Sequence, residues 1–234
     1  MIIIEVYADI WCPFAHVSLM RAVQRRDETG SHVRFRVFPW PLELINKAPM
    51  DPDFIGEEVQ YLQAQATPDL FADFSIDAFP SSTLPALALV EAAYRTGVEQ
   101  GEAMSLATRA ALFEYGHDLD DPAVLEHLAQ LIDVPMPTNQ DTVAIGDAWA
   151  AGQAREVVGS PHYFTPADDF LFTVSTSNEW ASIWLSNQQW RPSTSSSPPN
   201  LTSSPSSAPF AAYTARRRCD LAVLPTRSPV SRRH

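Results

Sequence analysis

Residues 2–8, IIIEVYA, form an apolar, β-branched run of the length of a buried strand. After Pro13 the period changes. Phe14, Val17, Met20 and Val23 recur every third residue and mark one face of a helix. Pro13 suits the first helical turn, where its missing N–H has no partner to lose. Arg25 and Arg26 lie toward the helix end that favours positive charge, and Gly30 closes it. Residues 33–38, VRFRVF, alternate apolar with Arg and predict a second strand. Strand, helix, strand is a βαβ unit, whose strands run parallel.

The next stretch, PWPLELINKAPMDPDF, carries four prolines and predicts a loop. Five helical patterns follow, over 53–66, from Pro85 through Leu87, Leu89, Val90, Ala93, Tyr94 and Val98, over 102–115, from Pro122, and over 140–155. The fourth has Asp121 as N-cap, Pro122 at the first helical position, and an apolar face of Leu125, Leu128, Leu131 and Ile132. Gly159–Phe164, GSPHYF, predicts a turn and a short strand. Asp168–Ser175, DDFLFTVS, alternates at Phe170, Phe172 and Val174 and predicts its hairpin partner. A last helix is expected over 177–190, with Trp180, Ile183 and Trp184 on one face. The order is βαβ, helices, ββα. It predicts an α/β chain: a thioredoxin fold (1–45 and 156–190) with a helical domain (46–155) inserted between its βαβ and ββα halves.

Composition changes this picture at the C-terminus. The chain has 234 residues, 45% of them apolar, enough for one sizeable core. Its net charge is −12, but residues 181–234 hold seven Arg and a single acid, with twelve Ser and seven Pro. Such a segment buries too little apolar surface to offset its ordering entropy, so disorder is expected over 191–234. The remaining acidity argues against nucleic acid as a partner. No run of about 18 apolar residues exists, so no membrane partner is expected. Glu5 and Asp9 interrupt the N-terminal apolar stretch, which lacks the basic start of a signal peptide, so a cytoplasmic location is expected. Two cysteines, Cys12 and Cys219, exclude a disulfide framework.

The candidate chemistry lies in DIWCPFAH, Asp9–His16. A cysteine at the start of a helix after a strand has unpaired backbone N–H groups and the helix dipole to stabilise its thiolate, which is the nucleophilic form. Cys12 is therefore expected to ionise below the free value of about 8.5. His16, four residues on, shares its helix side and is a candidate donor to the sulfur. The bland alternative is a buried core thiol and a satisfied histidine. Pro161, just before a strand, suits a turn with a cis bond that leaves the Ser160 backbone open to an extended substrate. His117 and His127 fall on different segments, so no metal site is expected. Cys219, in ARRRCDL, is not expected to take part in catalysis.

The DIWCPF stretch after a strand, the inserted helices from LPALALVEAAYR to DDPAVLEHLA, and the late GSPHYF resemble the DsbA-like thioredoxin family over residues 2–166, especially its cytoplasmic FrnE-like branch. The resemblance implies a thiol–disulfide oxidoreductase. Cys12 matches its nucleophile and Pro161 the cis-proline facing it. Its second cysteine falls on Ala15, which implies a single working thiol. On this reading Cys12 and His16 are catalytic, while Pro13, Phe14, Trp40, Ser160 and Pro161 bind substrate. The partner is a protein or small-molecule disulfide. No resident cofactor is implied, with glutathione as an optional co-substrate. Two other readings stay open. The 2-hydroxychromene-2-carboxylate (HCCA) isomerases and kappa-class transferases share this outline, but usually place serine at the position of Cys12. A non-catalytic thioredoxin-fold binding protein would also explain Ala15.

Overall fold

The computed structural model describes residues 1–164 and the backbone of Asp169–Leu171. The expected last helix over 177–190, the rest of the 168–175 strand and the tail over 191–234 lie outside the described residues. Strand β1, Ile2–Ala8, leads into helix α1, Pro13–Thr29, and then into β2, Val33–Pro39. Gly30 ends α1 in the left-handed conformation at φ 63. Its N–H meets the Asp27 carbonyl, and the Ser31 N–H meets the Arg26 carbonyl, which satisfies the last open turn. β2 pairs with β1 in parallel, Ile2 opposite Val33 and Ala8 opposite Pro39.

The stretch expected to be a loop contains a short helix, α2, Leu42–Asn46. Pro41 is its N-cap, and five residues are too few for periodicity to reveal. There follow α3 (Pro52–Gln65), a 3₁₀ turn at Ile76–Ala78, α4 (Leu84–Thr96), α5 (Val98–Phe113), α6 (Pro122–Ile132) and α7 (Asn139–Ala154). α5 begins four residues earlier than its pattern predicted. Capping explains several boundaries. Asp51 accepts from the Asp53 N–H, Asp121 from the Ala123 N–H, and Thr138 with Asp141 forms a capping box.

The chain then returns to the sheet as β3, His162–Phe164, antiparallel to β1, and β4, Asp169–Leu171, antiparallel to β3. The sheet order is β2-β1-β3-β4. One apolar core runs from the sheet into the helices, joining Val6, Phe35 and Val37 to Leu87, Leu112 and Leu128. Alternation sends Tyr7, Phe38 and Phe164 to the other sheet face, where they pack with Trp40 and Trp149 of α7.

The outer edge of β2 carries no neighbouring strand among the described residues, yet the polar groups of Phe35 and Val37 along it are occupied. Phe35 N–H donates to Glu102 (2.7 Å) and Val37 N–H to the Tyr94 hydroxyl (2.9 Å). That hydroxyl donates in turn to the Phe35 carbonyl (2.8 Å), and Arg36 covers the Val37 carbonyl (3.0 Å).

Two glycines of α7 make opposite expectations. A Cβ at Gly152 would stand 2.6 Å from the Trp40 ring and 2.9 Å from Tyr7, so Gly152→Ala should cost about 1–3 kcal/mol. At Gly146 nothing lies within 4 Å, and Ala there should stabilise by about 0.4–1 kcal/mol. Urea unfolding of both variants checks the pair.

Candidate functional site

Cys12 is the N-cap of α1, at the end of the turn that leaves β1. The Ser160–Pro161 bond is cis, and β3 brings it to this turn. The Cys12 Sγ–H donates to the Ser160 carbonyl at 3.0 Å, across 148 residues of sequence. The Ser160 hydroxyl accepts from the Asp9 N–H at 2.9 Å. The expected pairing of Cys12 with the cis-proline loop is therefore present. The Ser160 carbonyl, expected to be open to substrate, is taken up by the thiol.

The acidity expected of Cys12 is not. The residue is only 6% exposed, and burial pushes its thiol up to about 11. Ser160 and the Ala15 N–H pull the other way, while the charges of Glu58 and Asp9 add to the rise. The helix-start argument omits desolvation, which here exceeds it. The partial exposure at the turn on which that argument depends is absent.

His16 is fully buried, and its ring does not meet the sulfur. Nε2–H donates to Glu114 at 2.6 Å, and the ring lies against Phe71 and Phe113 at centroid distances of 5.4 and 5.1 Å. Burial alone would raise the Glu114 carboxyl. The hydrogen bond and charge of His16, with the N–H groups of Phe71 and Ala72, bring it below its ordinary value. His16 thus ties α1 to the end of α5, which corrects the expected hydrogen bond to sulfur.

Of the expected substrate-binding residues, Pro13 and Pro161 are buried beside the thiol, and Phe14 and Ser160 are half-buried. Trp40 departs from expectation. It is 5% exposed, edge-on to Tyr7 at 6.1 Å and packed over Gly152, on the sheet face away from the core that contains Cys12. Its position after β2 continues the strand's alternation, and that alternation points it under α7. Ala15 is fully buried on α1, three residues from Cys12.

Sequence reasoning missed the groups that build this turn. Asp9 is fully buried. Its carboxylate accepts from Trp11 N–H (3.3 Å), Leu42 N–H (2.5 Å) and the Thr83 hydroxyl (2.8 Å). Burial raises its pKa against those hydrogen bonds. Arg109, 1% exposed, donates to the Asp9 carbonyl at 3.2 Å and to Ser105. The available signal for Asp9 was an acid closing an apolar strand. For Arg109 it was a lone cation between Leu106 and Phe113 on a buried helix face.

Asp9→Ala would take the acceptor from the Trp11 and Leu42 N–H groups and leave the Thr83 hydroxyl only its longer contact to Glu43, and should cost about 2–4 kcal/mol in urea unfolding. Alkylation of Cys12, followed on its own peptide, should rise through pH 9 and 10 with a midpoint near 11. A midpoint at or below about 8.5 would contradict the buried thiol. Because the folded value is raised, Cys12 contributes its stability below pH of about 8.5. That contribution is lost as pH rises toward about 11.

No protein-family model matches the chain, and neither does any curated protein. Solved structures do. A candidate protein disulfide isomerase from Nitrosomonas europaea superimposes with a TM-score of 0.60 at 15% identity, over 80% of this chain and 98% of its own. An HCCA isomerase gives 0.58 at 15% identity, over 79% and 93%. The cytosolic disulfide reductase DsbM from Pseudomonas aeruginosa gives 0.54 at 14% identity, over 79% and 98%. Among the described residues no helix is long and apolar enough to cross a membrane. At these identities the likeness is one of fold, and the chain takes the thioredoxin-type architecture of the DsbA-like and HCCA isomerase structures.

Proposed function

We propose that the protein is a thiol–disulfide exchange enzyme of DsbA-like type, with Cys12 as its single working thiol. The observation that carries this reading is the Cys12 sulfur at the helix start, 3.0 Å from the carbonyl that precedes the cis-proline. An extended disulfide entering here takes the Ser160 carbonyl from the thiol and brings solvent to the sulfur. Solvation removes the largest influence that keeps Cys12 protonated, and leaves the Ala15 N–H, the Ser160 hydroxyl and the helix start to favour the thiolate. The thiolate attacks one substrate sulfur. The substrate S–S bond breaks as the Cys12–substrate disulfide forms, and the released thiolate takes a proton from water. With Ala15 in place of a second thiol, an outside small thiol attacks the mixed disulfide and regenerates Cys12. Glutathione is the co-substrate expected from sequence.

A second reading is a non-catalytic binding protein of the same fold, and the buried, weakly acidic thiol favours it. Incubation with a glutathione-based mixed disulfide separates the two. The enzyme forms a Cys12 adduct and turns over, and Cys12→Ser abolishes both. The binding protein stays unmodified at Cys12.

Ala15→Cys tests the redox scaffold directly. Residues three apart on a helix side have Cβ atoms about 5–6 Å apart, within small adjustment of disulfide geometry. The variant should close a disulfide between Cys12 and the introduced thiol under mild oxidant, and gain dithiol reductase activity toward a protein disulfide. A variant that keeps both thiols reduced, as read by mass, counts against the proposal.

A further inference from the structure

The described part of the chain is strongly acidic. Residues 1–164 hold nine Lys and Arg against 24 Asp and Glu. The eight arginines among them are committed. Seven face carboxylates, in the pairs Arg21–Asp69, Arg25–Glu28, Arg26–Glu102, Arg34–Glu99, Arg36–Glu91, Arg95–Asp141 and Arg155–Glu5. Arg109 is buried on Ser105 and the Asp9 carbonyl. Lys47 remains, exposed at the end of α2.

Beside the thiol, Arg109 is a cation whose charge reaches the sulfur, but it is buried and cannot meet an incoming molecule, whereas Glu58 and Asp9 are the acids that act there. Glu58 of α3 lies close enough for its charge to act on the Cys12 sulfur, and it is half-buried. Phe54 and Tyr61 stand four residues before it and three after, along one side of α3, and are 50% and 52% exposed. The buried side of α3 is Ile55, Val59 and Leu62, so these two rings are not needed for its packing. A carboxylate flanked by two open aromatic rings suits an ammonium or guanidinium on an apolar stem, held by charge and by the ring faces.

Building on the proposed thiol chemistry, we propose that the disulfide that Cys12 takes is cationic, a basic peptide or diamine disulfide docked along Phe54, Glu58 and Tyr61. Anionic disulfides, glutathione disulfide among them, react at the same sulfur but more slowly, on the order of tenfold at low salt. Acids at the mouth of a partly desolvated site repel them and concentrate cations.

The test uses the full chain at about pH 8, where free carboxylates are ionised. Three disulfides are compared: cystamine (cationic), 2-hydroxyethyl disulfide (neutral) and dithiodiglycolate (anionic). Each rate of adduct formation is read by mass on the Cys12 peptide and divided by the rate with 2-mercaptoethanol, which removes intrinsic reactivity. At low salt the normalised rate for cystamine should exceed that for dithiodiglycolate on the order of tenfold, and about 0.5 M salt should close the gap. Glu58→Gln should narrow it at low salt. Cys219, beside Arg216–Arg218, should show the opposite order in the same digest. Equal rates or an anion preference at Cys12 overturn the inference alone. A cystamine rate that rises with salt also overturns it. Absence of any Cys12 adduct overturns the proposed function together with it.

Discussion

A single buried carboxylate organises the end of the sheet. Asp9 receives Trp11 from the turn, Leu42 at the start of α2 and Thr83 at the start of α4, while its own backbone meets Ser160 and Arg109. Segments separated by up to 151 residues converge on this one residue. A carboxylate accepts at several lone pairs and donates none, so every donor around it must be aimed inward. That requirement fixes where α2 and α4 begin, and how the cis-proline loop approaches Cys12. The cost is a charge taken out of water, offset by three hydrogen bonds and the nearby Arg109.

The thiol sits within this frame under two opposed influences. Position at a helix start favours its ionisation, and burial opposes it. Burial wins in the closed arrangement. The energy that would make Cys12 reactive is thus held in its hydration, which an incoming molecule can change, and not in a fixed electrostatic field. Glu58 and Asp9 work in the same direction as burial.

Much of the fold was legible because its signals are local. β1 is an apolar run and β2 an alternation of apolar residues with Arg, and Pro13, Asp121 and Gly30 mark helix ends by their own chemistry. The order of elements then follows from the chain alone. The site was legible where it depends on position, as at Cys12 and Pro161. It was not where it depends on what packs from afar. His16 shares a helix side with Cys12, yet Glu114, 98 residues away, captures its ring. Trp40 follows a strand toward the thiol end of the sheet, but strand alternation turns it to the other face, where α7, far along the chain, covers it. The rise in the Cys12 pKa comes from enclosure, a property of the whole core that no spacing records.

The occupied edge of β2 has a consequence for how the molecule meets its own copies. An open strand edge is a template for another chain, and a sheet that can grow in both directions can polymerise. Here Glu102, Tyr94 and Arg36 hold the groups that a visiting strand would need. A visiting strand therefore finds the Phe35 and Val37 groups already bonded. Glu102 and Tyr94 are anchored in the helices between β2 and β3, so the helices that frame the site also close the middle of this edge to another strand.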